Sequence, residues 1–528
     1  MIKYIKLYVV SILLIGMSSL MQSCEKDTID LDPVDRVTDE TAFDTPERCE
    51  LAIVGVYDAA QGNGYNGGTE NRGYPFGSAS IQQSEMRGED MTLSAVFFDF
   101  TFASSYNTSS ANNCNMWFGC FSAINRANVV AEGIANAVEK GVISKEVGDQ
   151  YIGECLFIRA LCYHNLMIHF ALPYGVDGNN NYGMPYYTVA HNTPERIEEG
   201  LKIGRSTVQE TYNKIIEDLN ESESLLAETS NIIRATKGAA IALKTRVYLH
   251  MKDWSSVITE AKKLAPQDNA PFISTIGGYE LESNPAAPFT SYSQNKESIF
   301  SIGNSADDAP SVNGALAVMM SAREGGRAII ASSPILYNSS FWTANDARRK
   351  LLYYMGSGQI YFCDKYQRPV ERDEYAPIIR YAEVLLNYAE AALRSGDLNM
   401  ALSLLNAVRN RSVQPEDVYT PADFGAAKDL LEALLWERRI EFMGEGRRWE
   451  DIHRLVVDPY FPSAGIPKKI EYKSITDKGA FVINGSILEE WYHKTGFIPY
   501  TDKRFVWPVP LDDILRNPTL KEQQNAGW

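Results

Sequence analysis

Apolar residues recur every three or four positions over much of this chain, a spacing typical of helices that bury one face. Thr45, Pro46 and Glu47 form a helix start of N-cap, first-turn proline and acidic residue. Ser206 and Gln209 have the spacing of a capping box at the start of another helix. The pattern predicts helices at about 45–60, 116–137, 145–170, 206–228 and 511–516.

Two further segments, at about 236–265 and 378–412, are predicted helical hairpins that repeat each other imperfectly. Four positions of the first match four of the second at a constant offset: Leu249, Asp253, Ile258 and Ala261 against Leu393, Asp397, Leu402 and Leu405. Small and apolar residues, a tight turn at an aspartate and a second apolar helix describe a tetratricopeptide-type unit. Because such units bury their faces only by stacking, we predict a mainly α scaffold of helical pairs.

Three segments, at about 61–113, 266–376 and 456–510, interrupt the helical pattern. They are mixed in composition, with glycine, serine, asparagine or proline among aromatic residues. We predict long loops there, with short strands at about 96–102 and 298–302. Residues 42–528 are then one domain, in which these insertions form an irregular face on the helical scaffold.

Residues 436–454, WERRIEFMGEGRRWEDIHR, hold five arginines and five acidic residues around a Gly-Glu-Gly break. We call this segment the arginine corner. Arginine pairs bidentately with carboxylates, so the pattern predicts a buried ion-pair lattice between two helices. An anion site or a catalytic carboxylate pair is the alternative, but networks of this kind are usually structural. Three tryptophans within helical patterns are assigned to the core: Trp117, Trp436 and Trp449.

The N-terminus has the pattern of an exported lipoprotein. Lys3 and Lys6 precede an apolar run, so residues 1–23 are predicted to be a signal peptide rather than a spanning helix of the mature protein. Leu20-Met21-Gln22-Ser23-Cys24 has the form of a lipobox, and Cys24 is the predicted lipidation site, since multiple acyl chains anchor firmly. Ordinary cleavage beside an unmodified Cys24 is the alternative. Residues 24–41 are interpreted as a lipidated tether.

The charge balance narrows the classes of partner. With 50 basic and 67 acidic residues the net charge is −17, which argues against nucleic acid and against electrostatic binding to anionic lipid. The balance favours neutral ligands over polyanions, unless a local basic groove overrides it. The 29 tyrosines and 8 tryptophans suit a protein that binds sugars on aromatic faces.

No catalytic or metal-binding motif stands out. The chain lacks a nucleophile motif, a phosphate loop, a dinucleotide fingerprint and a metal triad, so we predict no catalytic residue, no cofactor and no metal. The tract at 177–183, DGNNNYG, lacks the alternating acids and closing glutamate of a calcium loop, and an exposed turn is favoured. The six cysteines after Cys24 are interpreted as small buried hydrophobes, although Cys114 and Cys120 could pair if the chain bends between them.

The arginine corner resembles the C-terminal signature of the SusD/RagB family, the surface nutrient-binding lipoproteins of Bacteroidota. Other segments fit the family in the same order along residues 25–528: LDPVDRVTDETAFDTPERCELAIVGVYDA, IGECLFIRALCYHNLMIHFALPYG, KESIFSI, IIRYAEVLLNYAEAALRSGDLNMALSLLNAVRNR and WPVPLDDILRNPTL. The resemblance implies a SusD-like fold, in which four helical pairs form a rigid base and loops with short strands form the other side.

The resemblance also implies a function. Such a protein is lipid-anchored in the outer membrane and faces the cell exterior. It captures oligosaccharides and delivers them to a SusC-like TonB-dependent transporter, without breaking a bond. Capture of peptides, as by a RagB-like protein, is the alternative. A surface glycoside hydrolase is a weaker one, since it needs two carboxylates at a defined separation and nothing singles out a pair.

A sugar site needs aromatic faces and nearby polar side chains on loops held by a rigid base. Two loop regions, 62–113 and 279–345, have that makeup, and we predict one shallow site built from both. The candidate ligand-binding residues are Tyr65, Arg72, Tyr74, Phe97, Phe98, Tyr106, Tyr292 and Trp342. For each aromatic ring, packing within the loop core is the alternative to ligand contact.

Overall fold

The computed structural model describes residues 41–62, 73–356, 358–476 and 478–528. The helices of seven or more residues within these ranges are α1 Pro46–Gln61, α2 Ser78–Arg87, α3 Ala111–Glu139, α4 Lys145–Phe170, α5 Pro194–Gly200, α6 Val208–Leu225, α7 Lys237–Met251, α8 Trp254–Leu264, α9 Tyr381–Arg394, α10 Leu398–Arg409, α11 Ala427–Glu441 and α12 Arg447–Arg454. Shorter helices include Asp99–Phe102, Leu511–Arg516 and Pro518–Glu522. The predicted mainly α fold is confirmed.

The strands are short and few. They are β1 Met91–Leu93, β2 Ser298–Ile302, β3 Ile330–Ser332, β4 Leu352–Met355, β5 Ile360–Cys363, β6 Ala376–Arg380, β7 Gly465–Ile466 and β8 Ile498–Pro499. They form a four-stranded antiparallel sheet in the order β1-β3-β5-β4 and two antiparallel pairs, β2-β6 and β7-β8. The predicted strand at 298–302 is confirmed, whereas the one at about 96–102 is wrong: that segment forms two short helical turns, Val96–Phe98 and Asp99–Phe102.

The long helices stack on one another along the chain. α3 packs on α1 and α4, α4 on α6, α6 on α7, α8 on α7 and α9, and α9 on α10 and α11. Both predicted hairpins are confirmed as α7–α8 and α9–α10. Asp253 and Asp397 cap the second helix of each, accepting from the backbone N–H of Ser256 and Met400 at 3.0 Å.

The capping box of α6 lies one residue beyond its predicted place. Thr207 and Glu210 form it, whereas Ser206 pairs through its backbone with the chain at 183–184. The N–H of Ser206 donates to the carbonyl of Met184 at 3.0 Å, and its own carbonyl accepts from Gly183 at 2.7 Å. This tertiary pairing removes Ser206 from the helix start, and local spacing alone does not reveal it.

The arginine corner is a buried ion-pair lattice, as predicted. Arg438 on α11 bridges to Asp451 on α12 at 3.0 Å, and Arg454 donates to the same carboxylate at 2.8 Å. Two of its arginines reach far back in sequence, Arg439 to Asp90 and Arg448 to Glu89. Although burial alone would raise the pKa of Glu89, Arg448 and Arg439 lower it to about 2. The corner therefore fixes the residues that immediately precede β1.

Trp449 and Trp117 are fully buried, and Trp436 is half-buried, stacked on Phe341 with ring centroids 5.5 Å apart. The Trp449 indole donates to the carbonyl of Ile168 at 2.8 Å. The Arg87 guanidinium lies 3.5 Å from the centroid of the Trp449 ring. These contacts agree with the predicted core assignment and join α12 to α2 and α4.

The six described cysteines are free thiols, so Cys114 and Cys120 do not pair. Among the residues described, no helix combines the length and apolar character that a membrane crossing requires. The same ranges contain no cluster of three or more His, Cys, Asp or Glu side chains that could hold a metal ion. The predicted signal peptide, Cys24 and most of the tether precede residue 41 and lie outside the described residues.

Candidate functional site

The pairing of β1 with β3 brings the two aromatic-rich loop regions together. Thr92 lies opposite Ala331 in this antiparallel pair, and the N–H of Ser94 donates to the carbonyl of Ile329 at 2.9 Å. The Ser94 hydroxyl donates to the same carbonyl at 2.9 Å. The chain that leaves β1 and the chain that enters β3 therefore lie side by side at one edge of the sheet.

An aromatic and polar surface forms at this edge. Val96 is 87% exposed, Phe100 is 59% exposed, and Phe97 is half-buried between them in sequence. The Arg327 guanidinium lies 5.2 Å from the centroid of the Phe97 ring, and its Nη1 donates to Asn313 Oδ1 at 2.7 Å. We call these five residues the Phe97 surface. It places the Phe97 ring beside a guanidinium and a side-chain amide, and the exposed Phe100 ring follows three positions later in the chain.

Buried contacts fix this surface from beneath. Phe98 is buried and meets the Phe97 ring edge-on, with centroids 5.2 Å apart. The Lys469 ammonium donates to the carbonyls of Met86 at 2.6 Å and Phe102 at 2.8 Å. Burial, together with the positive charge of Arg87, lowers the pKa of Lys469 to about 7. The Phe97 and Phe100 rings thus stand on a backbone that is fixed on both sides, which limits the entropy lost when a ligand binds.

Two family models match this chain. One, described as "SusD family", matches residues 353–528, and the other, described as "Starch-binding associating with outer membrane", matches residues 30–249. The chain belongs to the SusD family. The predicted resemblance is therefore confirmed at both ends of the chain, including the arginine corner and the predicted first helix.

Relatives and solved structures agree along nearly the whole length. SusD-like protein P38 from Formosa agariphila is 24% identical, over 95% of this chain and 96% of the relative. The crystal structure of a SusD superfamily protein from Bacteroides fragilis matches with a TM-score of 0.73 and 26% identity, over 90% of this chain and 99% of that one. Surface glycan-binding protein A from Bacteroides uniformis matches with a TM-score of 0.67 and 19% identity, over 91% and 100%.

Four of the predicted ligand-binding residues of this SusD-family chain are buried: Tyr74, Phe98, Tyr106 and Trp342. The Tyr74 hydroxyl accepts from Gln83 Nε2 at 2.8 Å. The Tyr106 ring packs between Trp507 and Trp528, at 6.1 and 6.0 Å between centroids. Because burial leaves these rings no open face for a sugar, they support the loops and do not enter the site proposed below.

The other four candidates are placed differently. Phe97 lies on the surface that carries its name, whereas Tyr65 and Arg72 lie outside the described residues. Tyr292 is half-buried and meets Tyr375 edge-on at 5.1 Å. Tyr375 lines a separate cavity of about 460 Å³, beside Gln61 and the loop at 303–308.

Sequence reasoning missed four residues of the Phe97 surface: Val96, Phe100, Asn313 and Arg327. Val96 and Phe100 belong to the tract VFFDF, whose apolar character predicts a strand and gives no sign of their exposure. Asn313 and Arg327 lie within a predicted loop region and carry no local signal. Only the β1–β3 pairing, between residues more than 230 positions apart, places Arg327 over Phe97.

Proposed function

We propose that this protein is a surface lipoprotein that captures oligosaccharides at the Phe97 surface and delivers them to a SusC-like TonB-dependent transporter. It binds and releases its cargo without breaking a bond. Cys24 anchors it to the outer membrane with the domain facing the cell exterior. Membership of the SusD family supports this role, as do the match to the family described as "Starch-binding associating with outer membrane" and the structural likeness to surface glycan-binding protein A.

The proposal rests on the partly exposed Phe97 ring beside Arg327 and Asn313, with the exposed Phe100 ring nearby in sequence. A phenyl ring offers an apolar face to the C–H face of a pyranose, while guanidinium and amide groups bond its hydroxyls. Each stacking ring contributes about 0.5–1.5 kcal/mol, and an open surface adds little else. Affinity nearer micromolar to millimolar than nanomolar follows, and weak binding suits cargo that must be released to a transporter.

Calorimetry with a panel of neutral oligosaccharides tests the proposal. Replacing Phe97 by alanine removes one ring and should weaken binding by about 2- to 13-fold, the equivalent of one stacking contact. Arg327→Gln should weaken binding by a similar factor while leaving the melting temperature unchanged, because this side chain is exposed. Tyr182→Ala, at an exposed tyrosine in another loop, is the matched control and should bind as the wild type does.

Two outcomes would contradict the proposal. If peptides bind and no glycan does, the protein captures peptides instead. If a glycan binds and both the Phe97 and the Arg327 variants retain full affinity, the ligand occupies another surface.

A further inference from the structure

A cavity of about 330 Å³ lies where the two helical hairpins meet the start of α11. The turn between α7 and α8 contributes Lys252, and the start of α8 contributes Trp254. The end of α9 contributes Arg394, and the first turn of α11 contributes Lys428. Asp458 and Tyr460 close it from the segment that follows α12. We call this space the Lys252 cavity. It shares no residue with the Phe97 surface.

The charges that line the Lys252 cavity do not cancel. Arg394 and Asp458 pair with each other at 2.7 Å, and Asp458 Oδ1 also accepts from the backbone N–H groups of Tyr460 and Phe461 at 3.0 and 2.9 Å. Arg394 further donates to Glu390 at 2.9 Å. The one acidic group of the lining is thus fully engaged, and two lysines remain in a protein whose net charge is −17.

Neither lysine forms a direct ion pair within the described part of the chain, because the nearby Asp458 carboxylate is paired with Arg394. Lys252 is half-buried and makes no ion pair or hydrogen bond through its ammonium with a described residue. Burial lowers the pKa of Lys252. The positive charges of Arg394 and Arg454 lower it further, whereas the negative charge of Asp458 raises it. Lys428 is exposed and lies 5.4 Å from the ring centroid of Phe461, its only described partner. A half-buried ammonium without a partner is costly unless a ligand supplies the negative charge.

The backbone at Lys252 gives independent support. Lys252 ends α7 in the left-handed conformation, with φ of +59°, and the equivalent residue of the second hairpin is Gly396, with φ of +93°. Glycine adopts this conformation without strain, whereas a residue with a Cβ does not. The first hairpin therefore has a strained lysine at the position where the second hairpin has an unstrained glycine. Strain that persists in this way is typical of functional positions.

Aromatic rings and a helix terminus complete the lining. Trp254 lies beneath the Arg394 guanidinium, 4.9 Å from its ring centroid, and Tyr460 is 55% exposed. Ala427 and Lys428 are the first two residues of α11, a 15-residue helix, so its positive end faces the cavity. Cationic groups beside aromatic side chains favour a ligand that carries both a carboxylate and a ring with an apolar face.

We propose that the Lys252 cavity binds an acidic sugar, with the carboxylate between Lys252 and Lys428 and the sugar ring against Trp254 and Tyr460. The volume lies at the lower end of the range for ligand pockets, which fits one sugar unit rather than a chain. Occupancy would supply the missing counter-charge. The site is additional to the capture of neutral oligosaccharides at the Phe97 surface and does not depend on it.

Calorimetry on the whole folded domain at low ionic strength tests this, with D-glucuronate, D-glucose and acetate as probes. We expect glucuronate to bind, to weaken as salt is added, and to bind more tightly than either glucose or acetate. Lys252→Gly and Lys252→Gln should each weaken glucuronate by about tenfold or more, as loss of a charge-assisted contact predicts. Lys262→Gln, at an exposed lysine of α8 outside the lining, is the matched control.

The thermal stability of Lys252→Gly separates lost binding from lost folding. Glycine relieves the strained backbone, so this variant should melt at the wild-type temperature or above it while losing glucuronate affinity. Equal binding of glucose would overturn the role of charge, and equal binding of acetate would overturn the role of the ring. Absence of glucuronate binding, or full affinity in both Lys252 variants, would overturn the site. Phe97→Ala should keep full glucuronate affinity, so failure here and failure of the proposed function are distinguishable.

Discussion

The Glu441 carboxylate is where three buried arginines converge. It accepts from Arg348 and Arg380 at 3.0 Å and from Arg411 at 2.7 Å. Burial alone would raise the pKa of Glu441, but Arg411, Arg380 and Arg348 hold it well below its usual range. Removing one member of such a group leaves the remaining charges buried without compensation.

Glu441→Gln should therefore destabilise the fold by about 3–5 kcal/mol, because three guanidiniums lose their common anion. Urea denaturation followed by circular dichroism measures the change. Glu432→Gln, at a half-buried glutamate of the same helix, should change stability by less than about 0.5 kcal/mol. A loss below about 1 kcal/mol for Glu441→Gln would mean that the lattice relaxes around the missing charge.

Buried histidines make stability depend on pH. Burial lowers the pKa of His453 to about 3, and it holds the pKa values of His164, His169 and His250 well below their usual range. The neutral imidazoles belong to the folded state, whereas the unfolded chain binds protons below about pH 6.5. Their contribution to stability is complete above pH 6.5 and is lost as pH falls from 6.5 towards 3.

We expect the free energy of unfolding to fall steeply as the pH drops below 6.5. Each such histidine contributes up to about 1.4 kcal/mol per pH unit. His453→Gln should reduce that slope by about 1.4 kcal/mol per pH unit, because the variant lacks one ionisable group. The glutamine keeps a donor for the carbonyl of Ala171, which lies 3.0 Å from His453 Nε2. Denaturant titrations at several pH values measure both slopes, and equal slopes would show that His453 charges in the folded protein.

For individual residues, the sequence predicted which charged side chains form ion pairs more accurately than it predicted which aromatic rings are exposed. Arginine and carboxylate density in residues 436–454 indicated the lattice, because so many charges next to a buried-type tryptophan need partners. Whether a given loop aromatic points inward depends on what packs on it. Tyr106 is covered by Trp507 and Trp528, about 400 residues further along the chain, and no local pattern reveals that contact.

Among the elements, several turns between helices contain a glycine with a positive φ. Gly396 ends the first helix of the second hairpin with φ of +93°, and a Cβ at this position would have no described atom within 4 Å. Gly444 lies between α11 and α12 with φ of +77°, and a Cβ there would lie 2.8 Å from the buried Sγ of Cys363. Both glycines have the left-handed backbone conformation, but only Gly444 has described atoms within 4 Å of the place where a Cβ would lie.

Gly396→Ala should cost about 1–2 kcal/mol, the penalty of the left-handed conformation alone. Gly444→Ala should cost more, because its methyl group also collides with Cys363. Thermal unfolding of both variants measures the difference, which isolates the steric contribution. Equal losses at the two positions would mean that the arginine corner shifts to accommodate a methyl group.

The helical hairpins were predictable because their information is local: period, turn and cap lie within about 30 residues of sequence. The edge of the four-stranded sheet was not predictable in this way. The strand predicted at about 96–102 is helical, and the true strand at Met91–Leu93 is only three residues long. Its pairing with β3 comes from a partner more than 230 positions away, and periodicity over three residues carries no signal.

For the whole molecule, the predicted anchor decides where the binding surfaces lie. Cys24→Ala should release the protein from the outer-membrane fraction, because the acylated cysteine is the only membrane-binding group that we predict. Cell fractionation with immunoblotting measures this, in a strain that lacks the proposed transporter partner. Cys49→Ala, at a buried cysteine of the domain, is the control and should stay in the membrane fraction. Retention of the Cys24 variant would contradict the anchor.

The long reach of Arg439 and Arg448 ties distant parts of the chain together. Asp90 and Arg439 are 349 residues apart. A chain that ends anywhere before residue 439 has neither guanidinium, so Glu89 and Asp90 lack the ion pairs that fix the start of β1. The sheet edge that carries the Phe97 surface therefore depends on the C-terminal part of the chain, and we expect an incomplete chain to lack that surface.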